Sequence, residues 1–82
     1  MITSNQLYMM KDVAYLSGHS IYTLKFYLKL GLIHEIGRSP ETRFRYFDDS
    51  TVQRLVEIRA MRKQGRSLSQ IKQLLTAEPL KR

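Results

Sequence analysis

The stretch SGHSIYTLKFYLKLGLI, residues 17–33, constrains the fold more than any other part of this chain. Ser20 stands where a helix would begin, and Gly31 stands where it would end. A serine hydroxyl at that place accepts a bond from an orphan N–H of the first turn, and glycine takes the left-handed conformation that closes the last one. Between them Ile21, Leu24 and Leu28 recur at i, i+3 and i+7, which predicts one buried stripe. Upstream, Met10, Val13, Ala14 and Leu16 keep helical spacing until Ser17-Gly18 interrupts it. Two short helices joined by SGHS form a helix-turn-helix pattern, although any helical hairpin can show it.

Residues 32–47, LIHEIGRSPETRFRYF, change character. Gly37 and the RSPET cluster read as a turn, flanked by residues that alternate as a strand does. A short antiparallel hairpin fits, with Arg38 and Arg43 at its tip. The next segment, DDSTVQRLVEIRAMRKQG, reads as a helix capped by Asp48, Asp49 or Ser50, with Val52, Leu55, Ile58 and Met61 along its apolar face. A last helix opens on a capping box, Ser67 with Gln70, and its stripe is Leu68, Ile71 and Leu75. The expected organisation is a lead-in at 1–7, one domain at 8–75, and a tail at 76–82.

Composition narrows the function. With 82 residues and no cysteine, the chain holds one small core without disulfides or thiolate metal sites. His19 and His34 are isolated and make no metal site, so no metal or other cofactor is expected. No apolar run reaches membrane-spanning length, and the N-terminus lacks the basic and apolar regions of a signal peptide, so the expected compartment is the cytosol. Fourteen Lys and Arg against seven Asp and Glu leave a net charge of +7, which points to a polyanionic partner, nucleic acid before an anionic membrane surface.

An enzyme is not expected. The chain has no phosphate-binding glycine loop and no carboxylate pair in an apolar setting, and capping explains Ser17 and Ser20 better than nucleophilic catalysis does.

The polar faces carry that partner's signature. With Ile21, Leu24 and Leu28 turned inward, Tyr22, Lys25, Phe26 and Lys29 lie on the other side of the helix. Lysine supplies charge for phosphates, and tyrosine reaches phosphate or base edges. Tyr27 suits the core and the contact face equally. On the expected hairpin, Arg43 and Arg45 share one strand face, while Phe44 and Tyr46 share the other. Such a wing would be anchored by its aromatics while its arginines reach a phosphate backbone or minor groove. A solvated face balanced by Glu35 and Glu41 is the alternative. Arg54, Arg59, Arg62, Lys63 and Arg66 give the third helix a basic exposed side, opposed only by Glu57.

The succession of parts resembles the N-terminal winged-helix domain of the MerR family of bacterial transcriptional regulators, from about Tyr8 to Leu75. YMMKDVAYLSGHSIYTLKFYLKLGLI is similar to that family's helix-turn-helix, and TRFRYFDDSTVQRLVEIRAMRKQGRSLSQIKQLL to its wing and last two helices. The resemblance implies a mainly α fold, a winged helix-turn-helix of about four helices with a short two-stranded antiparallel wing. It also implies DNA contacts at Lys25, Phe26 and Tyr27 in the recognition helix and at Arg45 in the wing, flanked by Phe44 and Tyr46. Arg59 would meet phosphate. Where the family has a forked arginine, this chain has the point charge of Lys25, and Phe26 lacks the usual tyrosine hydroxyl.

The expected DNA-binding set is Ser20, Tyr22, Thr23, Lys25, Phe26, Tyr27, Lys29, Arg38, Arg43, Arg45, Tyr46 and Arg59. The expected function is sequence-specific binding of double-stranded DNA as part of a bacterial transcriptional regulator. The resemblance further implies a homodimer, formed through a long helix that family members carry beyond this point, and RNA polymerase as a partner at the promoter. An excisionase-like architectural protein of a phage or mobile element is the alternative, separable by direct rather than inverted repeats in its binding sites.

Overall fold

In the computed structural model, residues 6–77 are described. They form β1 (Tyr8–Met9), α1 (Met10–Ser17), α2 (Ile21–Leu30), β2 (Gly37–Arg38), β3 (Arg45–Phe47), α3 (Asp49–Lys63) and α4 (Leu68–Ala77). The four expected helices are present. Residues 1–5 of the expected lead-in and 78–82 of the expected tail lie outside the described residues, while Thr76 and Ala77 continue α4.

The helix ends follow local chemistry. Met9 caps α1 through its backbone, its N–H donating to the Asp12 carboxylate at 3.0 Å. Gly18 ends the helix in the left-handed region, φ 75°, with its N–H on the Ala14 carbonyl. The Ser20 hydroxyl accepts the Thr23 N–H at 3.0 Å, and Gly31, φ 81°, closes α2. Asp48 is the residue that caps α3, accepting the Ser50 N–H at 3.0 Å. At α4 the Ser67–Gln70 box is reciprocal, with bonds of 2.9 and 3.1 Å.

The sheet departs from expectation. It has three antiparallel strands in the order β1-β3-β2, with Tyr8 opposite Phe47 and Arg38 opposite Arg45. The wing is therefore not a free two-stranded ribbon, because β1 pairs with the inner edge of β3. Two residues are too few for alternation to show, so β1 left no trace in the sequence pattern. Arg43 does not share a strand face with Arg45, since it lies in the loop at φ 66° with its N–H on the Ser39 carbonyl. The buried aromatic anchor is Phe47; Phe44 is exposed and Tyr46 half-buried.

The core comprises Val13, Leu24, Tyr27, Leu32, Ile33, Phe47, Leu55, Ile58, Ile71 and Leu75. Here α1 packs on α2, α3 and the sheet, and α4 packs on α3. Ile21 is 42% exposed, contrary to the predicted stripe, and Tyr27 at 7% takes the inward place. Ile21 occupies the first turn, where the helix has not yet met the core, whereas Leu24, Tyr27 and the half-buried Leu28 sit at i, i+3 and i+4. Leu16 is likewise exposed on the outside of α1.

Candidate nucleic-acid interface

Two adjoining grooves run between α2 and the wing. The first, about 570 Å³, is lined by Lys25, Leu28, Lys29, Ile33, His34, Glu35, Arg38 and Arg45. The second, about 420 Å³, is lined by Met9, Met10, Lys11, Lys25, Arg43, Phe44 and Arg45. Lys25 and Arg45 line both, so the grooves make one continuous face. Six cations border it (Lys11, Lys25, Lys29, Arg38, Arg43 and Arg45), with Glu35 as its lone carboxylate. The fold thus brings Lys25, Lys29, Arg38, Arg43 and Arg45 of the expected set together, though they come from segments up to 20 positions apart. Lys11 joins them unforeseen; lying on the first turn of α1, it carried no sequence signal beyond its charge.

The remaining expected residues divide. Tyr22 is 82% exposed and Phe26 44% exposed on the outer side of α2. The Ser20 hydroxyl caps α2 and donates to Thr23 Oγ1 at 3.0 Å, so both side chains are already engaged with each other. Tyr46 lies half-buried in the central strand. Tyr27 is a core side chain, its ring in an edge contact with His19 at 5.8 Å, and this decides between the two places its sequence position allowed.

Arg59 borders neither groove. Its Nη2 donates to the Gly18 carbonyl at 2.8 Å and the Ser17 carbonyl at 3.2 Å, at the C-terminal end of α1. Arg54 likewise donates to the Leu32 carbonyl just past α2, and Arg62 to the Arg66 carbonyl past α3. Three arginines of the expected solvated run therefore donate to backbone carbonyls: Arg59 to the last residue and cap of α1, Arg54 and Arg62 to the loops after α2 and α3. Their spacing alone could not show this, because three of the four acceptor carbonyls lie in distant segments.

The charges on and near this face are tuned by contact. Hydrogen bonding from Arg38, with a further bond from Arg45, outweighs opposing desolvation and holds the Glu35 carboxyl below its ordinary range. Partial burial, with Arg59 nearby, lowers the pKa of His19. Among the described residues, no group of three or more His, Cys, Asp or Glu could hold a metal ion. A face of this kind, cationic, grooved and edged by exposed aromatics, can neutralise a string of phosphates while ring faces rest on sugar or base.

The profile of the MerR HTH family of regulatory proteins matches residues 8–78. The chain belongs to the MerR family. Solved MerR structures agree with it. HiNmlR, a MerR family regulator lacking the sensor domain, bound to promoter DNA, is 33% identical with a TM-score of 0.81, over 92% of this chain and 56% of that one. PbrR691, the transcription regulator from Ralstonia metallidurans CH34 in complex with lead(II), is 29% identical with a TM-score of 0.78, over 88% of this chain and 56% of that one. A MerR family transcriptional regulator from Bacillus cereus shares the fold, with a TM-score of 0.79 at 18% identity, over 87% of this chain and 52% of that one. The chain therefore spans a little over half the length of these MerR relatives. No curated protein matches it significantly. Among the described residues no helix is long and apolar enough to cross a membrane.

Proposed function

We propose that this chain binds double-stranded DNA sequence-specifically, as the DNA-binding part of a MerR-type transcriptional regulator. In this reading α2 enters the major groove and the wing follows the flanking backbone. The observation that carries it is the continuous face on which α2 and the wing together present six cations against one carboxylate. The likeness to a regulator bound to promoter DNA supports DNA binding by this chain. Lys29, Arg38, Arg43 and Arg45 take phosphates, while Lys25 reaches base edges and Tyr22 and Phe26 meet sugar and base edges. Regulation of transcription rather than catalysis is its work. In a longer regulator, a homodimer on near-palindromic sites and contact with RNA polymerase in the bacterial cytoplasm, at the nucleoid, complete the proposal.

Selection from a random duplex pool, followed by anisotropy titration of the enriched sites at several salt concentrations, tests it. Enriched inverted repeats are expected. Direct repeats would assign an excisionase-like architectural role instead, and the absence of any enriched sequence would overturn specific recognition. Lys25→Ala is expected to weaken binding to the selected site more than to random duplex. Equal loss on both would remove Lys25 from sequence readout and leave it as a phosphate contact.

A further inference from the structure

An acid on a face built for a polyanion costs affinity by simple repulsion, so Glu35 calls for a physical account. It stands in the segment between α2 and β2 and lines the first groove together with Lys25 and Lys29. One carboxylate oxygen accepts the Nε–H of Arg38 at 2.6 Å, and the other accepts the Nε–H of Arg45 at 2.7 Å. The Nη2 of Arg38 lies 3.5 Å from that second oxygen. Arg38 and Arg45 are direct partners across the β2–β3 ladder, an arrangement in which like charges repel. The carboxylate is placed to offset that repulsion.

The choice of nitrogen matters. A guanidinium is a planar fork, and a bond at Nε fixes the plane while leaving a terminal edge to approach phosphate with two N–H groups. Among the described residues the Nη groups of Arg45 and the Nη1 of Arg38 have no protein partner. The Glu35 side chain is itself 28% exposed, so it contributes to the face and is not hidden beneath it.

We infer that Glu35 is a positioning residue that sets the planes of Arg38 and Arg45, giving up net attraction to DNA in return for discrimination between duplexes. The inference rests on the DNA-binding reading above. Without the carboxylate the two arginines still attract phosphates, but as mobile charges that accept any backbone geometry.

The test uses the full 82-residue chain with Glu35→Gln, Glu35→Asp, Arg45→Ala and the Glu35→Gln/Arg45→Ala double variant. Each is titrated by anisotropy against the selected duplex and a scrambled duplex of equal length. Glu35→Gln is expected to bind scrambled DNA as tightly as wild type or more so, while the selected-to-scrambled affinity ratio falls about three- to tenfold, in line with a coupling of a close charge pair. Glu35→Asp keeps the charge but is one methylene short, so it should lose discrimination without gaining on scrambled DNA. In the Arg45→Ala background, Glu35→Gln should move the ratio much less.

In the free wild-type chain, the Nε–H resonances of Arg38 and Arg45 should exchange slowly with water, and both should collapse toward solvated arginine in Glu35→Gln. A Glu35→Gln variant that tightens both duplexes alike, with the ratio unchanged, would make Glu35 a mere countercharge and overturn the inference. So would fast-exchanging Nε–H groups in the wild type. A wild-type chain that fails to discriminate, yet shows the slow Nε–H pair, would instead defeat the reading of sequence-specific recognition and the role of Glu35 with it, while leaving the fork standing.

Discussion

At the scale of single residues, Arg43 and His19 carry the sharpest consequences. Arg43 holds φ 66°, a left-handed conformation that costs a residue bearing a Cβ roughly 1 kcal/mol. Such cost is tolerated where the surrounding loop determines the conformation, and here the Ser39–Phe44 bond and the Arg43 N–H on Ser39 close it. Arg43→Gly relieves the clash but loosens the unfolded chain, so a net gain of roughly 0.5 kcal/mol is expected from urea denaturation. Affinity for duplex DNA should fall at the same time, because a charge leaves the face. His19 is packed against Ser17 and the Tyr27 ring, and burial with the Arg59 charge lowers its pKa. Between that lowered value and the ordinary 6.5, the unfolded chain takes up a proton that the folded chain refuses. Stability is therefore complete above 6.5, declines as pH falls below it, and levels off beneath the folded value. The urea midpoint of wild type should drop from pH 7.5 to 5.5 by more than that of His19→Gln.

At the scale of elements, α3 emerges as the part that ties the others down. Arg59 reaches the end of α1 and Arg54 the second residue past α2, so one helix ties down the exits of both helices of the helix-turn-helix. The approach at Gly18 is close, since a Cβ there would lie 3.1 Å from Arg59 Nη2. Glycine at that place serves both the left-handed backbone and the passage of the guanidinium. Arg59→Ala removes a charged donor from two carbonyls near the surface and is expected to cost about 1 kcal/mol in thermal or chemical denaturation. Its effect on DNA is a separate question, answered by the salt dependence of binding. A slope reduced by about one unit would add a phosphate contact to the structural role, and an unchanged slope would restrict Arg59 to the latter.

At the scale of the whole molecule, the surplus of seven positive charges is unevenly spent. Several arginines of α3 are committed to carbonyls, while six cations border the grooved face. Association with duplex DNA should therefore depend on that face and not on net charge alone. If all six meet phosphates, the slope of log affinity against log salt approaches about −5, and Lys11→Ala with Lys29→Ala should reduce its magnitude by about two units. A double variant of Arg62 and Lys63, which border neither groove, should leave the slope nearly unchanged. Anisotropy titrations between low and physiological salt measure both. A reduction of equal size in the two variants would mean that the duplex is held by diffuse charge, and the face would lose its standing as an interface.

What the sequence determined by itself was the punctuation: Ser20 and Gly31 around α2, Gly18 after α1, Asp48 among the possible caps of α3, and the Ser67–Gln70 box. Each rests on a bond spanning four residues or fewer, so composition and spacing suffice to see it. The succession of these parts was also enough to bring the MerR family into view. Tertiary structure alone decided the rest. The third strand joins Tyr8 to Phe47, Arg59 crosses 42 positions to Ser17, and the Glu35–Arg45 bond closes over 10 positions once β2 and β3 are in register. Whether Ile21 or Tyr27 entered the core depended on where the other elements met α2, because both lie within reach of an inward face. A helix end is settled by neighbours along the chain; a groove, a fork of arginines and a shared core are settled by neighbours in space.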